Sequence, residues 1–350
     1  MRIDLVALER GVALLGSGGG GRTDTAATLL RMRHAAGHDI AVTPVSELPG
    51  DALVVAVGAV GATSALTEKL PGGHEFRDAV GAVERWTGTR ADAAMTIEIG
   101  GLNGLLGLVA AEQLGLPCVD ADLSGRTLPR LNQFSPVAAG RELGPVAFGE
   151  PGGQVLLLDH STPVQIERTM RAVLTLTGWG VLALAPIPAR ELADCAVIGS
   201  VGAAAELGRL ALALAPAQLA PAVGGRLLAQ GRVVEVARRV DPERPDNPGF
   251  GRGSVTVQDA AGMLLRLEME NEYLLAMRDG VVVATTPDVL AVLDRRTAVP
   301  IACEDIRHGM EVAVLQLPAP SFWTDPRHCG PVAPRAYGID SDPVLLAGQP

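Results

Sequence analysis

The chain has 350 residues, of which 48% are apolar and 19% are charged. This length and apolar content allow a large buried core and are typical of a two-domain globular protein, not of a disordered chain. The formal net charge of −10 argues against nucleic acid and anionic membrane surfaces as partners, because both repel an acidic surface. The partner class that we expect is a small-molecule substrate, and we also expect a homo-oligomer.

Apolar runs and cysteines predict the compartment. No stretch reaches about 18 apolar residues without a break, so no transmembrane span is expected. Asp4 and Glu9 interrupt the N-terminal apolar segment, which does not fit a secretory signal. The four cysteines are too far apart for a zinc ribbon or a C-x-x-C pair, and free thiols indicate a reducing, cytoplasmic location. They are Cys118, Cys195, Cys303 and Cys329.

The first motif along the chain is a glycine-rich loop. Apolar residues at helical spacing predict a helix over residues 5–15, and Thr23, Asp24 or Thr25 can cap a second helix that runs to about His34. The loop between them can present bare main-chain N–H groups to a ligand, which predicts an anion or oxyanion site. A plain tight turn is the alternative. The loop consists of Gly16, Ser17, Gly18, Gly19, Gly20 and Gly21.

This loop differs from the known nucleotide-binding loops. A Rossmann loop follows a strand, whereas this one follows a predicted helix. A phosphate-binding P-loop ends in Gly-Lys-Ser/Thr, and Arg22 stands where that lysine would be needed. The sequence therefore argues against a dinucleotide or triphosphate site.

A pattern of strand, glycine-rich turn and helix follows the second helix. Apolar strands separated by helices are typical of an α/β fold with parallel strands. Strands are predicted over residues 39–42, 51–58, 95–99, 117–120 and 154–159, and helices over 102–114, 162–177 and 203–214.

The pattern changes to short strands near residue 225, and Asp279-Gly280 is a hairpin signal among them. We therefore predict an α/β fold in which residues 1–224 form a layered α/β domain with a largely parallel or mixed sheet. Residues 225–318 form a smaller β-rich domain. The tail, 319–350, is rich in Pro and Gly and is expected to pack back onto the first domain.

Acidic side chains follow the predicted parallel strands, at the edge where open α/β sheets bind ligands. Glu98 lies at the end of one strand, and Asp120 and Asp122 project from the same side of another. Such carboxylates can share a proton, orient a water molecule or hold a divalent cation, so these three are the candidate catalytic groups. Turn-forming Asp residues and a solvated Glu are the alternatives.

Further polar residues are candidates for orienting a substrate. Asn103 offers a donor and an acceptor near a helix start, and Arg126 can pair with a carboxylate or an anionic substrate group. A helix cap and a surface cation are the alternatives. Glu270-Asn271-Glu272 interrupts an apolar segment and either faces the site, with Asn271 as the substrate-binding candidate, or forms a surface turn between strands. The histidines form no H-x-H or H-E-x-x-H pattern, and no G-x-S-x-G elbow is present.

Several motifs occur in a fixed order along the chain. They are Leu15-Gly16-Ser17-Gly18-Gly19-Gly20-Gly21, Glu68-Lys69-Leu70-Pro71, Glu98-Ile99-Gly100-Gly101-Leu102-Asn103-Gly104, Asp120-Ala121-Asp122 with Gly125-Arg126 and Pro129, Glu270-Asn271-Glu272, Asp279-Gly280, Thr286-Pro287-Asp288 and His308-Gly309. In this order they resemble the S-methyl-thiohydantoin desulfurase-like family, long known only as a domain of unknown function. The resemblance covers nearly the whole chain, and the glycine run and the E-I-G-G-x-N-G motif are its specific parts.

The resemblance implies an α/β N-terminal domain, a β-rich C-terminal domain and hydrolytic attack on a five-membered cyclic amide-like ring. In the reaction that names the family, oxygen replaces the S-methyl group of an S-methyl-thiohydantoin and methanethiol leaves. The family's wider membership lies close to hydantoin and lactam metabolism, so the resemblance also implies these rings as candidate substrates. The sequence departs from the family pattern at Arg22-Thr23-Asp24 and at Leu123-Ser124, and these departures bear on the substrate more than on the reaction class.

The resulting hypothesis is a hydrolase of a small cyclic amide-like heterocycle. Loop N–H groups hold the developing negative charge, and Asp120 or Asp122 activates water, directly or through a divalent metal. Glu98 transfers the second proton, while Arg126 and Asn103 orient the substrate.

Two rival hypotheses stay open at this point. One is a metal-dependent reaction with Asp120 and Asp122 as tentative ligands, and no other cofactor is expected. The other is a non-catalytic small-ligand-binding protein or a subunit of a hydantoinase-type complex. Lys69, the only lysine, is a further substrate-binding candidate, as an anion contact or a helix-end charge.

Overall fold

The computed structural model describes residues 1–38, 41–62, 65–239 and 251–346, so part of the strand expected over 39–42 lies outside the described residues. The helices are α1 (Leu5–Leu15), α2 (Asp24–Ala35), α3 (Ala65–Glu68), α4 (Glu75–Thr87), α5 (Asn103–Leu114), α6 (Ser135–Ala138), α7 (Pro163–Thr177), α8 (Leu192–Cys195), α9 (Ser200–Ala213), α10 (Pro216–Ala222) and α11 (Ser321–Thr324). None of these helices combines the length and the apolarity that crossing a membrane requires.

The strands alternate with these helices in the first half of the chain and dominate the second half. They are β1 (Val42–Thr43), β2 (Leu53–Gly61), β3 (Ala93–Thr96), β4 (Cys118–Val119), β5 (Ala121–Asp122), β6 (Val146–Gly149), β7 (Val155–Leu158), β8 (Trp179–Leu184), β9 (Ile187–Pro188), β10 (Val197–Ile198), β11 (Arg226–Arg239), β12 (Arg252–Asp259), β13 (Leu264–Glu270), β14 (Glu272–Arg278), β15 (Val281–Thr285), β16 (Val289–Asp294) and β17 (Glu311–Leu317).

The chain divides into two compact units, and each is built from more than one segment. The first unit comprises Met1–Leu5, Arg22–Gly125 and Arg130–Ala203. The second comprises Val6–Gly21, Arg126–Pro129 and Ala204–Pro350.

The first unit contains a mixed sheet with the strand order β1-β4-β3-β2-β8-β6-β7. The pairs β1·β4, β4·β3 and β3·β2 are parallel, while β8, β6 and β7 continue the sheet antiparallel. The middle of β2 is buried on both faces, which is why its sequence is continuously apolar. The predicted α/β fold with parallel strands is confirmed.

Local signals account for the ends of several helices in this unit. Gly115 adopts a left-handed conformation with φ 69° and ends α5, as its position after Leu114 predicts. Thr162 and Gln165 form a capping box at the start of α7.

The second unit contains an antiparallel sheet with the order β15-β14-β13-β12-β11-β17-β16. Asp279 and Gly280, with φ 51° and 77°, form the predicted turn between β14 and β15. A tighter connection joins β13 to β14 at Asn271, whose φ is 65°. The β-rich character predicted for the second half of the chain is confirmed.

The units divide the chain differently from the predicted boundary at residue 224. The glycine loop lies with the β-rich unit, because Tyr273 N donates to Ser17 O at 2.7 Å and Cys303 N donates to Gly18 O at 2.8 Å. The described part of the tail, residues 319–346, also belongs to the β-rich unit. Val344 exchanges hydrogen bonds with Thr285, where Thr285 N donates to Val344 O at 3.0 Å and Val344 N donates to Thr285 Oγ1 at 2.8 Å.

Candidate functional site

The glycine loop is fixed to the β-rich unit by its carbonyl groups and by Ser17. The Ser17 side chain is fully buried, and its hydroxyl lies 2.9 Å from Leu290 O and 3.2 Å from Tyr273 O, to which it donates. This hydroxyl is therefore engaged in holding the loop, and the main chain is the part of the loop that is left to meet a ligand. Ligand binding by Ser17 itself stays a prediction.

The N–H groups of the loop fall into two sets. In the first set, Ser17 N donates to Leu14 O at 3.1 Å and Gly19 N donates to Gly16 O at 2.8 Å. Within the described ranges, the N–H groups of Gly18, Gly20 and Gly21 have no acceptor. These three glycines are half-buried and have φ between 75° and 88°, a range that residues with a side chain rarely adopt. Main-chain N–H groups in turns of this kind can form an anion-binding concavity. The arrangement can bind an anion or a developing negative charge.

Glu272, the first residue of β14, is a buried carboxyl against this loop. A Cβ built on Gly19 would lie only 2.6 Å from Glu272 Oε1, so the absence of a side chain at Gly19 allows the close approach. Oε1 accepts a hydrogen bond from Asn271 Nδ2, whereas the buried Oε2 has no partner in the described part of the chain. Burial raises the pKa of Glu272 to about 7, although the Asn271 amide and the Arg126 charge oppose the rise.

Arg126 is fully buried in the same unit and binds the turn before β16. Its Nη1 donates to Pro287 O at 2.7 Å, to Asp288 O at 2.8 Å and to Thr286 Oγ1 at 3.2 Å. These bonds hold a turn of the chain, and the substrate-orienting role expected for Arg126 stays a prediction.

Asp122 is a buried carboxyl in the first unit that organises two loops. Its Oδ2 accepts hydrogen bonds from Ile99 N, Ser124 N, Ser124 Oγ and Gly125 N, at 2.7 to 3.1 Å. Its Oδ1 is buried and has no partner in hydrogen-bond geometry among the described residues, and the same holds for the buried Ser200 hydroxyl, which nevertheless favours the ionised form of this carboxyl. Burial raises the pKa of Asp122 to about 6, and the hydrogen bonds from Gly125, Ser124 and Ile99 oppose that rise.

Asp120 lies two residues earlier and binds a different segment. Its Oδ1 accepts from Val201 N at 2.9 Å and from Gly202 N at 3.0 Å, so this carboxylate caps the N-terminus of α9. The two Asp side chains therefore bind separate sets of main-chain donors. Among the described residues, no three His, Cys, Asp or Glu side chains are arranged to hold a metal ion. The metal site at Asp120 and Asp122 stays a prediction without a described third ligand.

Glu98 and Asn103 lie together at the ends of β2 and β3. Asn103 accepts from Ala59 N at 2.8 Å through Oδ1, and its Nδ2 donates to Ala59 O at 3.1 Å and to Glu98 Oε2 at 3.3 Å. Asn103 thus joins the last residues of β2 to the buried Glu98 carboxylate. The structure brings both residues to the carboxyl edge that the strand pattern predicted.

Lys69 pairs with the buried Glu150 carboxylate and lies near Thr177 O. This ion pair holds the pKa of Glu150 below its usual range. The contact gives Lys69 a partner within its own unit, and the expected contact with a substrate anion stays a prediction.

Two family models together cover almost the whole chain. The model described as S-Me-THD-like, N-terminal domain matches residues 3–160, and the model described as S-Me-THD-like, C-terminal domain matches residues 161–345. The chain belongs to the S-Me-THD-like family. The predicted family is therefore confirmed.

Other comparisons bear on the fold of this S-Me-THD-like chain. A crystal structure of a protein from Chromobacterium violaceum shares 23% sequence identity with a TM-score of 0.78, and the match covers 97% of this chain and 98% of that one. At this identity the likeness concerns the fold alone. No curated protein matches the chain.

The S-Me-THD-like chain carries its candidate residues in two groups, one in each unit. The first unit holds Glu98, Asn103, Asp120, Asp122 and Lys69, and the second holds Ser17, Gly18, Gly19, Gly20, Gly21, Arg126 and Asn271. Sequence reasoning did not select Glu272, although it lies in a quoted motif. The sequence nevertheless contains a signal for Glu272. A charged residue at this position interrupts an apolar strand pattern, and an isolated buried charge is costly.

Proposed function

We propose that this S-Me-THD-like protein is an enzyme that hydrolyses a small cyclic amide-like heterocycle of the S-methyl-thiohydantoin, hydantoin or lactam type. The observation that carries the proposal is the glycine loop, with the N–H groups of Gly18, Gly20 and Gly21 left without acceptors in the described chain. Attack of water on a ring carbon places negative charge on the attached oxygen or nitrogen. Fixed donors stabilise that charge without reorganisation, and each typically contributes about 3 kcal/mol.

The proposed reaction on S-methyl-thiohydantoin is a substitution at the ring carbon that bears sulfur. A water oxygen forms a bond to this carbon while a base accepts one water proton. The carbon–sulfur bond then breaks, its electron pair leaves with sulfur, and protonation gives methanethiol. The ring nitrogen of the attacked carbon–nitrogen double bond takes up the second proton of the water as the ring carbonyl forms, so the products are hydantoin and methanethiol.

Asp122 is the candidate base among the carboxylates selected from the sequence. With a pKa raised to about 6, it is mostly ionised above neutral pH and is a stronger base than an ordinary aspartate. The buried Oδ1 is the atom that would accept the proton, since Oδ2 is saturated by donors. The roles of Asp120 and Glu98 in proton transfer stay predictions.

The test is turnover of S-methyl-thiohydantoin, hydantoin and lactam panels by the wild type and Asp122→Asn. We expect wild-type turnover of at least one ring class and a loss of about 10²–10⁴-fold in the variant, the range typical of a removed general base. Asp92→Asn is the matched control, because Asp92 is an exposed residue of the same unit that accepts a hydrogen bond from Leu53 N at 2.9 Å. Ring binding without turnover would instead support the ligand-binding alternative, and loss of activity on chelation would support a metal.

A further inference from the structure

We propose that Glu272 is the catalytic acid of this reaction, the group that gives a proton to the departing sulfur or nitrogen atom. The inference rests on the proposed function and adds a residue that neither the motifs nor the comparisons assign. It depends on one cluster in the β-rich unit, formed by Glu272, Asn271 and the loop residues Gly18 and Gly19.

The position of the carboxyl is fixed by its neighbours in the sheet. Tyr273, the next residue, donates its N–H to Ser17 O at 2.7 Å, so β14 and the loop are joined directly beside Glu272. On the other side, Asn271 has φ 65°, an uncommon conformation for a residue with a side chain. That conformation accompanies the side-chain hydrogen bond from Asn271 to Glu272 Oε1.

Glu272 Oε2 is the atom available for chemistry. Glu272 is fully buried, and Oε2 has no hydrogen-bond partner among the described residues. A buried polar atom without a partner is costly and needs an explanation, and a role in ligand binding or catalysis is one such explanation. The same carboxyl lies against the main chain of Gly19, between Gly18 and Gly20, whose N–H groups also have no acceptor in the part of the chain that the structure describes.

The charged and titratable groups that face Glu272 oppose one another. The Arg126 guanidinium favours the ionised carboxylate, while Glu270 disfavours it. The Cys303 thiol lies against Gly18 of the loop, and burial together with the Glu272 charge raises its pKa well above its usual value. Cys303 therefore stays protonated and is a poor nucleophile. With burial dominating, the pKa of Glu272 is about 7, so a large fraction of the carboxyl is protonated near neutral pH.

A protonated carboxyl at this place completes the proton balance of the reaction. As the carbon–sulfur bond breaks, the proton moves from Glu272 Oε2 to sulfur, and methanethiol leaves as a neutral molecule. The resulting carboxylate then recovers a proton from solvent before the next turnover. For a lactam or hydantoin, the ring nitrogen receives the proton when the carbon–nitrogen bond breaks.

The experiment compares Glu272→Gln with wild type on two thiohydantoins that differ only in the leaving group, S-methyl and S-(4-nitrophenyl). A poor leaving group needs a proton and a good one does not. We expect kcat/KM for the S-methyl compound to fall by about 10²–10³-fold and that for the S-(4-nitrophenyl) compound by less than about 10-fold. Glu268→Gln is the matched control, because Glu268 on β13 pairs with Arg266. It should leave both rates unchanged.

The pH profile gives a measurement on the wild type that does not need the variant to fold. The rate for the S-methyl compound should fall as the pH rises through about 7, since the acid is then ionised, and the S-(4-nitrophenyl) rate should lack this limb. An equal loss on both compounds, or no loss, in an active enzyme would overturn the acid role alone. A wild type inactive on every ring would overturn the proposed function, and the acid role with it.

Discussion

Asp122 and Glu272 are two fully buried acids, one in each unit, that differ in what their oxygens bind. Asp122 Oδ2 accepts hydrogen bonds from Ile99 N, Gly125 N and both donors of Ser124. Glu272 accepts from one side-chain amide, that of Asn271. Burial raises both pKa values, to about 6 for Asp122 and to about 7 for Glu272.

Burial raises the pKa of both carboxyls by a similar amount, from ordinary values of 3.8 for Asp122 and 4.5 for Glu272, so part of the difference between them is the ordinary difference between Asp and Glu. Donors to a carboxylate stabilise its charged form and partly cancel the effect of burial. Asp122 is consequently ionised over more of the neutral range and also holds its loops in place. Glu272 keeps its proton to higher pH, and the hydrogen bond that it accepts comes from a side chain, that of Asn271. The two carboxyls should therefore respond differently to the same substitutions.

The largest expected effect on stability is that of Asp122→Ala. Removing the carboxyl leaves the buried N–H groups of Ile99, Ser124 and Gly125 without their acceptor, and each such group typically costs about 1–3 kcal/mol. We expect the free energy of unfolding to fall by about 3–5 kcal/mol in urea titrations. Asp122→Asn keeps an acceptor oxygen and should lose less than half as much. Equal stability of Asp122→Ala and wild type would contradict the anchoring role.

The next largest effect is expected in the pH dependence of the free energy of unfolding. Between low and neutral pH, Glu272→Gln and wild type should come to differ by nearly as much as Asp122→Ala differs from wild type. The folded pKa of Glu272 lies above its unfolded value, so the folded state holds an extra proton between about pH 4.5 and 7. The stability that the protonated form provides is complete below that window and is lost as the pH rises through about 7. Since Gln does not titrate, the variant should gain on the order of 3 kcal/mol relative to wild type across the window. Urea midpoints measured from pH 4 to 8 would test this, and a constant difference would contradict it.

A smaller effect is expected from removing one donor to Asp122. Ser124→Ala deletes the hydroxyl that lies 2.8 Å from Oδ2 and leaves the main-chain donors in place. The free energy of unfolding should fall by about 1 kcal/mol, and the pKa of Asp122 should rise. Carboxyl carbon NMR titration would measure the pKa. A lowered pKa would show that the hydroxyl does not stabilise the charged form.

The smallest effect is expected at the donor to Glu272. Asn271→Gly removes the amide and keeps a residue for which φ 65° is unstrained. The pKa of Glu272 should rise by less than about one unit, with little change in the melting temperature, because one hydrogen bond is lost. The alkaline limb of the rate profile should move to higher pH by the same amount. A shift to lower pH would mean that Asn271 does not donate to this carboxyl.

Local signals in the sequence predicted much of the fold. The spacing of apolar residues predicted α1, Gly115 predicted the end of α5, and Asp279-Gly280 predicted the hairpin between β14 and β15. The carboxyl edge of the parallel strands also followed from strand order, because Glu98 and Asn103 meet there. Each of these features depends on residues close together in the chain.

The features that could not be predicted depend on partners far apart in the chain. The glycine loop lies with the β-rich unit because Ser17 bonds Tyr273, 256 residues later. Asp120 caps α9 through Val201 N, 81 residues later, and a strand pattern carries no information about that donor. The sequence alone therefore indicated acidic residues without assigning their roles.

The most direct test of the central claim is to remove one loop N–H without changing the loop conformation. Glycolic acid in place of Gly20 converts the amide to an ester and deletes this donor. The account predicts methanethiol release by the wild type and a fall in kcat of about 10²–10³-fold in the ester protein, with the melting temperature unchanged. The same ester at Gly37, an exposed glycine with φ 91°, is the control and should leave kcat unchanged. A Gly20 ester protein that releases methanethiol at the wild-type rate would contradict the account.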